Sequence, residues 1–404
     1  MKNNPETRFQ EFSEAWNTAL IEDCFIERKE RSGDGEMISV TINTGIRKAK
    51  ELDRTVHIGD TSNYKVVRQG DIAYNSMRMW QGASGYSPYD GILSPAYTVI
   101  IPKQDIISEF FASLFKQPEL IHTFELNSQG LTSDTWNLKF EKLKKITISY
   151  PSSPEEQHKI AQFFSRLDSL ITAEDKKLER LKTIKTASLE KMFPKHGETV
   201  PEVRFKGFTK VWEEHNLSEL SDKVTEKNIK NAIREVFTNS AEYGIVSQRD
   251  FFNHDIANEK NIDGYYVVEP NDFVYNPRMS VTAPVGPINR NKLNRKGVMS
   301  PLYYIFRTHD VYAQYLEYYF KTKHWYSFMY YNGDNGARGD RFSIKNDVFV
   351  KMPIPVPQDE KEQIYIAEFF SRLDSLISAQ EQKIGKLRSL KKSFLEKMFV
   401  STPK

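Results

Sequence analysis

The stretch IAQFFSRLDSLITAEDKKLERLKTIKTASLEKMF, from Ile160 to Phe193, returns as IAEFFSRLDSLISAQEQKIGKLRSLKKSFLEKMF, from Ile366 to Phe399. The copies align without gaps, with roughly 20 of about 34 positions identical, and a repeat of so long a period decides architecture before any local reading. In the first copy Ile160, Phe163, Leu167, Leu170, Ile171, Leu178 and Leu181 recur at three- and four-residue intervals. Ile366, Phe369, Leu373, Leu376, Ile377 and Leu387 do so in the second. Lysines and glutamates fill the gaps, which is the pattern of an amphipathic helix. Neither Gly nor Pro interrupts 155–193, so a single helix on the order of 60 Å long is expected at 1.5 Å per residue. Pro154 at the first helical position, with Glu156 where a capping box places its carboxylate, marks the start; the second copy offers Asp359 and Glu362. A stripe this long overruns a domain of about 150 residues, so the two helices are expected to pack on each other, antiparallel, through these apolar positions.

Outward from the helices the repeat continues. Pro5-Glu6-Thr7-Arg8-Phe9, followed by Phe12 and Trp16, matches Pro201-Glu202-Val203-Arg204-Phe205, followed by Phe208 and Trp212. Shorter echoes lie between: Val66-Val67, Asp71 and Tyr74-Asn75 against Val267-Val268, Asp272 and Tyr275-Asn276, then Ser94-Pro95 against Ser300-Pro301. GLTSDTWNLK (130–139) stands at the same distance from the close of its copy as GARGDRFSIK (336–345). The ends are alike and the middles share only a skeleton. Runs such as Tyr97 to Ile101 and Tyr303 to Phe306 predict strands, Ile106 to Phe115 and Val311 to Tyr319 short helices, and Ile146 to Pro151 and Met352 to Pro357 strands leading into the long helices. The expected fold is α+β: a pseudo-twofold tandem repeat of two similar α/β domains separated by two long antiparallel helices, a coiled-coil spacer. The boundaries read as 1–151, 152–196, 197–357 and 358–404.

At 404 residues the chain exceeds what one hydrophobic core serves, and 39% apolar with 27% charged residues is ordinary for a globular protein. The sequence holds no apolar run long enough for a membrane span, and the polar start at Lys2, Asn3 and Asn4 is unlike a secretory signal. A cytoplasmic protein without a membrane partner is expected. The lone cysteine, Cys24, reads as a plain buried residue, and eight scattered histidines lack metal-ligand spacing, so no structural metal is expected. A net charge of +3 leaves a nucleic-acid partner to be argued from local clusters.

Arg, Lys, Asn and Gln can pair with base edges, and Ser, Thr and aromatic residues suit phosphates and methyl groups. The first middle offers Arg78 near Trp80 and Gln81, then Asn127, Thr132 and Thr135 in the run ending at Trp136. The second offers Arg278, then Arg290, Lys292, Arg295 and Lys296, then Arg338, Arg341 and Lys345. The strongest single candidates are Arg338 and Arg341, on a Gly-rich turn. Tyr275-Asn276-Pro277-Arg278 half resembles the motif with which adenine methyltransferases hold a target amino group, but Tyr74-Asn75-Ser76-Met77 lacks the proline. With no Gly-rich cofactor fingerprint, no phosphate loop and no fixed triad, no catalytic residue is assigned.

The opening Pro-Glu-x-Arg-Phe, the exit Glu156-Gln157-x-x-Ile160-Ala161 with its copy Glu362-Gln363-x-x-Ile366-Ala367, and the repeated helix resemble the specificity subunit of type I restriction-modification systems over almost the whole chain. That resemblance implies that each middle is a target recognition domain and that the chain reads a bipartite, asymmetric double-stranded DNA site. It implies as partners two modification (methyltransferase) subunits, which methylate adenine, and restriction (translocase/endonuclease) subunits in the full complex. S-adenosylmethionine, ATP and Mg are expected on those partners, with no cofactor bound by this chain. Inserting a helical turn after Ala173 is expected to lengthen the gap between half-sites. Other readings are a coiled-coil scaffold that binds only proteins, which leaves the loop arginines without a use, a self-contained adenine methyltransferase, and a member of a related system with a different subunit arrangement.

Overall fold

The structure, a computed structural model, describes residues 4–42, 44–52, 60–252, 262–336 and 339–400. The fold is α+β, and two long helices carry the repeated sequence: Pro154–Lys191 and Glu360–Lys397, each of 38 residues. Two compact units divide the chain, Met1–Lys176 with Glu381–Lys404, and Lys177–Gln380, so the division falls within both helices.

In the first unit a four-stranded antiparallel sheet runs in the order Phe25–Glu27, Tyr97–Pro102, Ile72–Asn75, Ser84–Tyr86. Strand pairs Ile38–Thr41 with Gly45–Lys48, Lys65–Val67 with Gly91–Leu93, and Asn17–Leu20 with Thr147–Tyr150 complete it. The second unit repeats this topology with Ser221–Lys223, Tyr304–Thr308, Phe273–Tyr275 and Ile288–Arg290 in its sheet. Its pairs are Phe237–Ser240 with Gly244–Ser247, Tyr266–Val268 with Gly297–Met299, and Glu213–Asn216 with Pro353–Val356. Gly45 (φ 65°) and Gly244 (φ 71°) close equivalent hairpins in the left-handed region, where a Cβ is disfavoured. The expected short helices form at Ser108–Leu114 and Ala313–Tyr319.

Within each unit the long helices meet antiparallel. Phe163 packs on Phe394 (4.8 Å between ring centroids) and Phe164 on Phe399 (5.5 Å), while Asp168 pairs with Lys391 and Asp175 with Arg388 in the first unit. Phe193 stacks on Phe370 (6.0 Å), and Lys185 pairs with Asp374, in the second. Each helix therefore delivers its closing Met-Phe to the unit it ends in. Met192 and Phe193 lie in the core around Trp212, Tyr315 and Phe370, and Met398 and Phe399 in that around Trp16, Phe110 and Phe164. The opening motif docks on these ends, the Thr7 N–H donating to Lys397 O (2.9 Å) and the Val203 N–H to Lys191 O (2.9 Å).

Two readings of the helices need correction. Ile160, Leu167, Ile366 and Leu373 are buried, and Phe163, Ile171, Leu178, Leu181, Phe369, Ile377 and Leu387 are half-buried, but Leu170 and Leu376 are 43% and 54% exposed. Successive residues point about 100° apart on a helix, so Ile171 and Ile377 can face the seam only if the leucines before them turn out. Ile384, which the interval reading passed over, is instead buried at 4%. Glu156 is also not a capping-box carboxylate. Both its oxygens accept from Arg8 (2.7 Å each), with Trp16 Nε1 donating at 3.3 Å, and Glu362 accepts from Arg204 (2.6 and 2.7 Å) in the same way. Gln157 and Gln363 accept from the backbone N–H of Ile107 and Tyr312 and donate to Pro151 O and Pro357 O. The Glu-Gln signature thus ties the opening motif and the short helix of each unit to the long helix.

Candidate nucleic-acid interface

Strand Ile72–Asn75 leaves the sheet of the first unit through a turn in which Asn75 Oδ1 accepts the Met77 N–H at 3.0 Å. Strand Phe273–Tyr275 leaves through the same turn, with Asn276 Oδ1 accepting the Arg278 N–H at 3.0 Å. Asn276 also donates to Asn239 O (2.8 Å), so the residue that suggested a methyltransferase motif is spent on backbone geometry. Each exit loop carries a second loop against it. Leu138 N–H donates to Ser76 O (2.8 Å) and Trp80 meets Trp136 edge-on at 5.2 Å in the first unit. In the second, Phe342 N–H donates to Pro277 O (2.8 Å), Met279 N–H to Asp340 O (3.0 Å), and Arg278 bridges Arg341.

The structure brings some of the candidate readers together here. Arg78 is exposed and its Nη1 donates to Gln81 Oε1 at 3.4 Å. Thr132 and Thr135 are exposed at the tip of the loop bridged by Gln129 and Asn137, where Thr135 Oγ1 donates to Thr132 O (2.9 Å). Asn127 is exposed at the end of helix Pro118–Asn127, and its Nδ2 donates back to Thr123 O (2.9 Å). Arg278 and Arg341 lie side by side, exposed, and among the described residues neither guanidinium has a partner. Lys345 is exposed at the start of helix Asn346–Phe349. Arg338 lies outside the described residues.

Arg290, Lys292 and Arg295 stand apart from that group. Strand register sets Phe273 opposite Arg290 and Tyr275 opposite Ile288, so this basic run leaves the sheet at the end away from the Asn276 turn. All three are engaged: Arg290 donates to Glu317 (2.9 and 2.7 Å), Lys292 pairs with the same carboxylate (3.1 Å) and Arg295 pairs with Glu235 (3.0 Å). Burial would raise the Glu317 carboxyl, but Lys321, Lys292 and Arg290 hold it down at about 2. Lys223 and Lys227 escaped the sequence reading. They stand over the rings of Tyr304 (5.4 Å) and Tyr266 (3.5 Å), and strand pairing alone joins residues so far apart in the chain. Cys24 is buried, its thiol pushed up to about 11 mainly by burial. Among the described residues no cluster of His, Cys, Asp and Glu could hold a metal, and no helix is long and apolar enough to cross a membrane.

Comparison with known proteins gives the following. Residues 22–183 match the family of the type I restriction modification DNA specificity domain. Over 85 residues the chain is 41% identical to the type I restriction enzyme MjaIX specificity subunit of Methanocaldococcus jannaschii, covering 21% of this chain and 19% of that protein. The chain thus matches about a fifth of the length of this curated relative. In fold it is similar to the type I restriction-modification S subunit from M. genitalium, with a TM-score of 0.57 at 13% identity over 99% of this chain and 100% of that one. A chain from a structural study of complex assembly and conformational transition in the type I R-M system gives 0.55 at 17% identity over 95% and 97%. By sequence across residues 22–183 and by fold across nearly its full length, the chain resembles the specificity subunits of type I restriction-modification systems.

Proposed function

We propose that the chain is the DNA-reading specificity subunit of a type I restriction-modification complex, and that it directs adenine methylation and restriction to a split, asymmetric site without doing the chemistry itself. One observation carries this reading: two units of the same topology differ in sequence and charge at the same exposed place, the turn after Asn75 or Asn276 and the loop docked on it. A shared frame with unlike tips reads two unlike half-sites. Arg78 with Gln81 supplies donors and an acceptor in one unit and Arg278 with Arg341 a doubled cation in the other, groups suited to base edges and phosphates.

On this reading double-stranded DNA is bound in company with two modification subunits, to which S-adenosylmethionine belongs, and restriction subunits bring ATP and Mg in the full complex. Methylation sequencing of DNA from cells expressing the chain with its modification subunit tests it. A new split motif, methylated on adenine in both halves and absent when the chain is absent, is the expected result. A continuous motif overturns the two-reader account, and no motif despite a stable complex overturns DNA reading in favour of a protein scaffold. A helical turn inserted after Ala173 is expected to widen the gap in the motif.

A further inference from the structure

The second unit contains a cavity of about 370 Å³. Its lining includes Tyr266, Tyr303, Tyr304 and Phe342, with Lys223 and Arg341 as its cations. No acidic side chain lines it among the described residues, and Pro277 and Gly336 make it continuous with the exit loop and the hairpin that present Arg278 and Arg341. We infer that this cavity receives one nucleobase of the DNA, swung out of the stack, with the tyrosines and Phe342 against its faces and Lys223 and Arg341 toward its flanking phosphates. The inference rests on the DNA-reading proposal above.

Three observations favour a base over other occupants. Flat aromatic walls suit any base because every base has a π-face, and Arg and Lys beside such walls suit the backbone that comes with it. A volume at the small end of the range for ligand pockets takes one heterocycle rather than a length of peptide. The first unit supplies the internal contrast. Strand register sets Tyr74 opposite Thr98 where Tyr275 faces Tyr304, and Glu27 opposite Ile100 where Lys223 faces Phe306. At these places Lys65 pairs with Glu27 (3.8 Å) and Ser76 bonds Thr98 (2.8 Å), so the positions of Tyr266, Tyr304 and Lys223 hold groups that satisfy one another, while Tyr97 and Trp136 keep aromatic rings where the second unit has Tyr303 and Phe342.

The test uses the full-length chain in complex with its modification subunit and duplexes carrying the methylated motif, with each nucleotide of both half-sites replaced in turn by an abasic site. Tyr303→Ala removes a wall, and Ser343→Phe, at an exposed position lining the same cavity, fills it without touching the core, so one variant serves if the other fails to fold. At one position of a single half-site the abasic duplex is expected to bind the wild-type complex about tenfold more weakly, the size of one base–aromatic stack. Both variants should erase that penalty and leave the penalties in the other half-site unchanged. Equal penalties in variants and wild type at every position overturn the inference, as does loss of the modification subunit from the variants with DNA affinity retained, which would give the cavity to a protein side chain. If the wild-type complex ignores the motif altogether, the DNA-reading proposal fails first, a result distinct from both.

Discussion

Where each opening motif meets its long helix, Arg8 grips Glu156 as Arg204 grips Glu362, at nearly the same distances. Where each sheet gives way to the turn after Asn75 or Asn276, only the turn itself is shared, and the side chains beyond it differ in size and charge. The difference follows from solvent. A buried carboxylate that loses its partner is costly, so two copies of a fold can change that pair only together, while an exposed arginine or threonine at a loop tip has water as a substitute. Divergence collects where the frame does not restrict it, and those are the residues left to meet another molecule.

The largest effects should come from breaking the shared junction. Glu156→Ala strands Arg8 and should lower stability by about 3–5 kcal/mol, and Glu362→Ala should do nearly the same. Denaturant unfolding should show the first as the larger by about 1 kcal/mol, because Trp16 also donates to Glu156 whereas Trp212 Nε1 has no partner among the described residues. Equal losses would mean that the indole bond adds nothing.

Next come the helix ends. Phe193→Ala and Phe399→Ala should each cost about 3 kcal/mol, and hydrogen exchange should place the first loss in Lys177–Gln380 and the second in the other unit. A loss spread evenly over both units would break the account in which each helix closes the unit it ends in.

Smaller effects separate the reading residues from their neighbours. Arg341→Ala should weaken binding to the motif by about 1–3 kcal/mol with stability unchanged, since the guanidinium has no partner among the described residues. Arg290→Ala should instead destabilise the fold and leave the methylated motif unaltered, since Arg290 answers to Glu317. Reversed outcomes, read by fluorescence anisotropy and thermal unfolding, would exchange the two assignments.

The smallest expected effect is a slope. Lys116 and Lys321 follow equivalent short helices, but Lys116 donates to the carbonyl oxygens of Ile42 and Gly82 while Lys321 faces Glu317. Burial lowers the Lys116 ammonium to about 8, with Lys391 adding to the shift and Asp168 opposing it. Above that pH the folded chain has released a proton that the unfolded chain keeps up to the ordinary lysine value of about 10.4, so stability should rise with pH across this window. Lys116→Met should flatten the slope, and Lys321→Met should lower stability by leaving Glu317 with fewer cations. A slope that survives Lys116→Met would show that another group carries it.

Much of this was legible in the chain before folding. Two near-identical 38-residue helices, the α+β class, the paired opening motifs and the short helices followed from period, punctuation and repetition, because these depend on neighbours three or four residues away or on comparing the chain with itself. Tertiary structure alone decided that Glu156 and Glu362 answer to arginines about 150 residues distant, that Leu170 and Leu376 turn outward while Ile384 is buried, and that Arg290, Lys292 and Arg295 are engaged with acids while Arg278 and Arg341 stand free among the described residues. A side chain's partner is chosen by which strands pair and which helix faces meet. Those contacts join residues that no local spacing relates, so the sequence named the candidates and the packing sorted them.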